Sequence, residues 1–151
     1  MNWDTYFMGL ARYIAGKSKD DSTKVGCVIV GPDNEVRSTG YNGMPRGIDE
    51  VGYNNLHKVK ERYSRPEKYY WFEHAERNAI YNAARIGTPL KGCRLYTLFF
   101  PCTDCVRGII QSGIIEVVHE PYRYTKQCYW DENFKRSIIM LDEANIKNRV
   151  I

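Results

Sequence analysis

Cys102 and Cys105 lie three residues apart, directly after Pro101, in "FFPCTDCVRGII" (99–110). Cysteines at positions i and i+3 of a helix share one face, so both sulfurs can bind one metal ion. Taken alone, the pair is compatible with a redox centre, half of a structural zinc site or part of a catalytic metal site. Another potential metal ligand, His74, begins a helical segment upstream. Its presence favours a metal site over a redox pair.

A site made of His74, Cys102 and Cys105 has three protein ligands. Structural zinc sites normally have four, whereas three leave the tetrahedral ion one open position for water. Zinc lowers the pKa of that water to about 7. Glu76 stands two residues after His74 and is not needed as a ligand. We therefore predict that Glu76 is the catalytic group that moves protons.

Apolar periodicity and turn residues predict the elements that position these side chains. They are a helix at 3–16, a hairpin of strands at 24–30 and 35–41, helices at 72–87, 102–113 and 131–146, and strands at 93–99 and 114–120. Such an order predicts a three-layer α/β/α fold around a mixed sheet. Strands separated by helices should run parallel, and the hairpin should be antiparallel. The charges of the aperiodic 42–72 segment are interpreted as solvated surface.

Length and composition indicate a soluble protein with a single domain over 1–151, because the chain can bury a sizeable core and is 43% hydrophobic and 26% charged. The net charge of +4 favours an anionic ligand such as a nucleotide, and it is too small to indicate nucleic-acid binding. The sequence contains no run of 18 apolar residues, which is about the length that a membrane-spanning helix needs. The five cysteines are an odd number without an export signal, which favours metal or catalytic use and a cytoplasmic location.

The pattern H-x-E followed by P-C-x-x-C is the signature of zinc nucleobase deaminases. The chain resembles the cytidine-deaminase superfamily, and within it most closely the deoxycytidylate (dCMP) deaminases. The matching stretches, in family order, are "STKVGCVIV" (22–30), "STGYNGMPRG" (38–47), "HAERNAI" (74–80), "GCRLYTLFFPCTDC" (92–105) and "QSGI" (111–114). This resemblance covers most of residues 1–125 and implies the cytidine-deaminase-like fold, with a mixed sheet of about five strands.

The resemblance also implies a reaction and the residues that perform it. Zn²⁺ would bind His74, Cys102 and Cys105, and Glu76 would shuttle protons while dCMP and water become dUMP and ammonia. Further contacts to the substrate are implied for Asn42 with the sugar hydroxyl, Ser22 and Lys24 with the 5′-phosphate, the backbone near Ala75 and Phe100 with the base, and Tyr122 or Tyr124 with the ring or sugar. A turn-forming role for Asn42 and an exposed surface position for Lys24 remain open.

Relatives of this kind imply regulation and assembly as well. They are commonly homohexamers that dCTP activates and dTTP inhibits, with Mg²⁺ on the effector triphosphate. The implied effector contacts are Asn42, Gly43, Arg46, Gly47 and Lys58, and Arg85 matches an arginine near subunit contacts. Two alternatives remain: a deaminase for another cytosine or adenine substrate, and a catalytically idle nucleotide-sensing protein of the same fold. The presence of Glu76 favours an enzyme.

Overall fold

The structure is a computed structural model that describes residues 1–51, 59–121 and 131–151. Its helices are α1 (Trp3–Ala15), α2 (Lys68–Trp71), α3 (Ala75–Ile86), α4 (Thr103–Gln111) and α5 (Asp131–Glu143), and a 3-10 helix spans Val59–Tyr63. Its strands are β1 (Gly26–Val30), β2 (Val36–Tyr41), β3 (Arg94–Thr97), β4 (Glu116–His119) and β5 (Lys147–Val150).

The five strands form one mixed sheet in the order β2-β1-β3-β4-β5. β1 pairs antiparallel with both β2 and β3, whereas β3, β4 and β5 are parallel to one another. Helix α1 covers one face of the sheet through Phe7 and Met8, which pack with Val28 and Tyr96. Helices α3, α4 and α5 contribute to the hydrophobic core on the other face. The predicted three-layer fold, antiparallel hairpin and parallel strands are therefore confirmed.

Gly40 on β2 lets the first turns of α3 approach the sheet more closely than any side chain would allow. A Cβ atom at position 40 would lie 2.3 Å from the carbonyl oxygen of Ala75 and 2.4 Å from the backbone nitrogen of Ala79. Real Cβ contacts are essentially never this short. The start of α3, where two of the predicted site residues stand, is thus held against β2 at backbone distance.

The segment before α3 differs from its prediction. The helix begins at Ala75 rather than at residue 72, because Glu73 pairs with Gly43 through two backbone hydrogen bonds of 2.8 and 3.1 Å. The charges upstream are not all solvated. Lys68 and Arg62 are both buried, so the surface interpretation is wrong for these two residues.

Both buried cations have partners. Lys68 Nζ lies 2.8 Å from Asp20 Oδ2, and the two side chains are 7% and 5% exposed. The guanidinium of Arg62 lies over the ring of Trp71, 3.9 Å from its centroid. The Lys68–Asp20 ion pair joins the 59–71 segment to the loop that follows α1, whereas the contact of Arg62 with Trp71 lies within the segment.

Strand β5 was not among the elements predicted from periodicity, since its sequence is polar. Its residue Arg149 donates hydrogen bonds to Asp4 on α1 and to Glu116 on β4, at 2.7 to 2.9 Å. Ion pairs rather than apolar alternation thus accompany the pairing of this edge strand. No helix in the described ranges has the length and apolar character needed to cross a membrane.

Candidate active site

His74, Cys102 and Cys105 meet at the facing ends of two helices. His74 immediately precedes α3, Cys102 immediately precedes α4, and Cys105 lies in the first turn of α4. His74 Nδ1 is 3.4 Å from Cys102 Sγ and 3.5 Å from Cys105 Sγ. All three ligand atoms lie within 4.8 Å of one another. The structure therefore brings together the three residues that the sequence predicts as ligands.

These distances can be compared with those that a zinc ion requires. Zinc binds histidine nitrogen at about 2.0–2.1 Å and thiolate sulfur at about 2.3 Å, which in a tetrahedron separates nitrogen from sulfur by about 3.6 Å. Both nitrogen–sulfur distances agree with this value within about 0.2 Å. One imidazole and two thiols are also a normal zinc donor set. The three residues fit a zinc ion.

The surroundings of the two cysteines shift their pKa values in opposite directions. A hydrogen bond from the thiol of Cys105 is the largest influence on Cys102 and lowers its pKa to about 4, despite burial. The same bond and burial raise the pKa of Cys105. Both thiols lose their protons when a metal binds, and the lowered pKa of Cys102 favours that loss. The N-terminus of α4 also favours negative charge at this position.

Glu76 lies beside the three ligands without belonging to them. Its side chain is buried, and burial is the main cause that raises its pKa. Its Oε1 accepts a hydrogen bond of 3.1 Å from the hydroxyl of Thr97, and its Oε2 lies 3.6 Å from Cys105 Sγ. This position suits the predicted proton-transfer role, which stays a prediction.

Two polar contacts that connect α4 with α3 and α5, Arg77–Asp104 and Thr103–Asn133, were not predicted from the sequence. Arg77 on α3 forms ion pairs with Glu73 and, at 3.4 Å, with Asp104 on α4. The backbone nitrogen of Thr103 donates a 2.8 Å hydrogen bond to Asn133 Oδ1 on α5. Both contacts join elements that are distant in sequence, so spacing alone carries no signal for them. Together they hold the helix that bears both cysteines against its neighbours.

Asn42 is buried, and its side chain makes three hydrogen bonds within the chain. Its Oδ1 accepts from the Val25 nitrogen at 2.8 Å, and its Nδ2 donates to the Thr23 carbonyl at 2.8 Å and to Asp20 at 3.3 Å. An amide oxygen has two lone pairs and an amide nitrogen two protons. The second lone pair of Oδ1 remains for a sugar hydroxyl, so the predicted sugar contact and a structural role are compatible.

The two residues predicted to bind the phosphate differ in availability. The backbone nitrogen and the hydroxyl of Ser22 both donate to Asp20 Oδ1, at 2.9 and 2.7 Å, and Ser22 Oγ accepts from Lys68 at 2.6 Å. Ser22 would have to leave Asp20 before its donors could bind a phosphate. Lys24 is exposed, and its predicted phosphate contact stays a prediction.

The remaining predicted residues are scattered or lie outside the described ranges. Ala75 and Phe100 are buried, and the ring of Phe100 lies 5.0 Å from that of His119. Arg46 donates a hydrogen bond to Asn82, and Arg85 is exposed in the last turn of α3. Gly47 has a φ of +84°. Lys58, Tyr122 and Tyr124 lie outside the described residues.

The family model for the cytidine and deoxycytidylate deaminase zinc-binding region matches residues 1–120. The chain belongs to this family. As a member, it is a hydrolytic deaminase. The deaminase is 40% identical over 126 residues to a deoxycytidylate deaminase of Pongo abelii, covering 82% of this chain and 67% of that protein. It is 36% identical over 150 residues to a probable deoxycytidylate deaminase of Drosophila melanogaster, covering 97% and 71%.

Solved structures bear out the fold. A dCMP deaminase from the cyanophage S-TIM5, solved in complex with dCMP and dUMP, superimposes on the deaminase with a TM-score of 0.72. The match has 22% sequence identity and covers 97% of this chain and 95% of the phage protein. The cytidine-deaminase-like fold expected from the resemblance is confirmed.

Proposed function

We propose that this deaminase converts dCMP and water into dUMP and ammonia. The single observation that carries the proposal is the meeting of His74, Cys102 and Cys105 beside the buried carboxyl of Glu76. A site with one open metal position and a neighbouring acid suits hydrolysis of an amino group from a base. The choice of dCMP is supported by relatives named deoxycytidylate deaminase, at 38% and 40% identity.

Each residue of the site has a part in the proposed reaction. His74, Cys102 and Cys105 hold the zinc ion, which when bound supplies the Lewis-acid charge that makes water a nucleophile at neutral pH. Glu76 accepts a proton from the attacking water and delivers it to the ring nitrogen of cytosine. It then takes the proton of the hydroxyl group that was added to the ring carbon and transfers it to the departing amine, so that the C–N bond breaks, ammonia leaves and the carbonyl of dUMP forms. Its Oε2, on the side of Cys105, is the oxygen nearer the ligands.

The substrate preference is testable with three substrates. We expect the zinc-loaded protein to turn over dCMP with a kcat/KM at least about 10-fold above that for deoxycytidine, since hydrogen bonds to a charged phosphate contribute about 1.5–3 kcal/mol. An RNA stem-loop containing adenosine should not react. The measurement is ammonia release, together with the fall in absorbance of the cytosine band.

The outcomes separate the alternatives. Equal rates for dCMP and deoxycytidine would contradict phosphate recognition, and faster reaction of the nucleoside or the RNA would identify another substrate. Binding of dCMP without ammonia release would favour a nucleotide-sensing protein. Such a protein has no chemical need for an acid at position 76.

We also propose that dCTP activates and dTTP inhibits the deaminase, with Mg²⁺ on the triphosphate. A cavity of about 90 Å³ next to the 43–50 loop supports this. Among its lining residues are Gly43, Lys17, Lys19 and Glu50. Lys19 forms an ion pair with Glu50, and the second lysine of the wall, Lys17, suits an anionic ligand. Gly43 is bonded through its backbone to Glu73, the residue before His74. Arg46 instead contacts Asn82 on α3.

The regulation can be tested with dCMP saturation curves in the presence of Mg²⁺. We expect dCTP to lower the dCMP concentration needed for half-maximal rate and dTTP to raise it or to lower the rate. Replacing Lys17 with alanine should weaken both effects, because a cation of the cavity wall is lost. Curves that neither triphosphate moves would contradict the proposal. A sizing measurement in the same buffers tests the predicted homohexamer, which stays a prediction, as does the cytoplasmic location.

A further inference from the structure

We propose that Thr97, at the end of β3, is a positioning residue that fixes the orientation of the Glu76 carboxyl for proton transfer. The inference rests on the proposed function. It adds to the site a residue outside the metal cluster that acts through Glu76. The role follows from its contact with Glu76 and from the different surroundings of the two carboxyl oxygens. It follows also from the uncharged side chains of the sheet next to Glu76.

The contact is buried and direct. Thr97 is 0% exposed, and its hydroxyl donates a hydrogen bond of 3.1 Å to Glu76 Oε1. The backbone of Thr97 is fixed on both sides, because Thr97 pairs with Cys27 on β1 and with His119 on β4. A β-branched side chain in a strand also has restricted χ1 rotation. Position 97 therefore presents a fixed donor to one oxygen of the acid.

The two oxygens of Glu76 have different neighbours. Oε1 faces the sheet and Thr97, whereas Oε2 lies 3.6 Å from the thiol of Cys105. A cysteine that binds a metal is deprotonated, so Cys105 has no hydrogen left to donate once the metal is present. The bond to Thr97 is independent of that change. It keeps Oε1 engaged and leaves Oε2, on the ligand side, to accept and return the proton.

Apart from this bond, the carboxyl is held by a hydrogen bond from its own backbone nitrogen and by the contact of Oε2 with Cys105. The terminal torsion of glutamate has a broad, roughly two-fold energy profile, so the group rotates readily. The nearby thiol of Cys27 is fully buried, and burial raises its pKa, which keeps it uncharged. On the side of the sheet, the hydroxyl of Thr97 is thus an uncharged donor with a defined position.

Thr97 also has a plainer interpretation, as a β-branched residue that fills a buried strand. Threonine and valine have nearly the same shape, so Thr97→Val removes the hydroxyl and leaves the packing volume. Thr97→Ser keeps the hydroxyl and removes a methyl group. The two substitutions therefore separate a role of the hydrogen bond from a role of the side-chain volume.

The test compares these two variants as zinc-loaded proteins with dCMP. We expect Thr97→Val to lower kcat by about 10-fold or more, the loss associated with a hydrogen bond to a charged group. KM, the affinity for dUMP and the zinc content should change less than about threefold, because ground-state binding does not require an oriented acid. Thr97→Ser should retain kcat within about threefold. Thr39→Val, the same substitution on β2, is the matched control and should leave kcat unchanged.

The results assign failure to one proposal or the other. Unchanged kcat in Thr97→Val would overturn the positioning role, and so would a similar loss of kcat in Thr97→Ser, because packing would then be responsible. Loss of zinc or of dUMP affinity in Thr97→Val would show a structural role instead. If wild-type protein released no ammonia from dCMP, the proposed function would fall, and the role of Thr97 in that reaction with it.

Discussion

Replacing Glu76 with glutamine is expected to lower the rate of dCMP deamination by about 10²–10⁴-fold or more, the range associated with general acid–base catalysis, while zinc stays bound. Glutamine has the shape of glutamate and can accept the hydrogen bond from Thr97, but its amide cannot take up a proton at neutral pH. The zinc ligands are untouched by the change. Ammonia release and metal analysis on the same preparation measure both effects.

A matched change elsewhere shows whether the loss is specific to the site. Glu132→Gln replaces an exposed glutamate on α5, which pairs with Lys135 at the surface, and should leave the rate unchanged. Substantial activity in Glu76→Gln would mean that another group moves the protons. Loss of zinc from that variant would mean that Glu76 supports the metal site rather than the chemistry.

Replacing Cys102 with alanine is expected to release zinc and to lower the stability of the protein. Two ligands, His74 and Cys105, would remain, and neither structural nor catalytic zinc sites are built from so few. A ligand that binds only the folded state stabilises it by RT ln(1 + [L]/Kd), about 4.1 kcal/mol at a concentration 1,000 times Kd. Wild-type protein should therefore melt at a higher temperature with zinc than after chelation, whereas Cys102→Ala should melt at the same temperature in both.

Cys93→Ala provides the comparison, because Cys93 is buried and belongs to the hydrophobic core but not to the metal cluster. That variant should lose some stability through the small cavity it creates and should keep its response to zinc. Normal zinc content in Cys102→Ala would contradict the ligand assignment. A melting temperature that does not depend on zinc in the wild type would contradict the coupling of metal binding to folding.

The metal cluster was predictable from sequence because its parts obey local rules. Two cysteines at helical spacing, and a histidine and an acid two residues apart, each stand at a predicted helix start, where side chains project from the end of the helix. A sheet with helices packed on it then brings two such starts together. The prediction needed the order of elements and the donor types, but no knowledge of individual contacts.

The surroundings of the cluster were not predictable in this way. Asp20 accepts hydrogen bonds from Ser22, Asn42 and Lys68. The most distant of these donors, Lys68, is 48 residues away from Asp20 in sequence. A lysine in a basic stretch gives no sign that it will be buried. Similarly, Thr97 looks like any strand-forming residue, because its partner is 21 residues upstream on a helix.

Strand β5 was missed for a related reason. The sequence "KNRV" (147–150) has three polar residues, so it carries no alternation typical of a half-buried strand. Its pairing with β4 is accompanied by charges on other elements, through Arg149 with Asp4 and Glu116. A single segment does not reveal a strand whose charged partners lie elsewhere, one near the N-terminus and one on β4.

The glycine at position 40 limits which substitutions this enzyme can tolerate. His74 and Glu76 depend on where α3 starts, and that point is set from a strand that contributes no group to the chemistry. A methyl group there would clash with the backbone of Ala75 and Ala79, and any shift of the helix would change the position of the imidazole relative to the two sulfurs. A defect in metal affinity can therefore originate at a residue outside the metal cluster. Directed evolution of this catalyst for new substrates would need to leave that glycine unchanged.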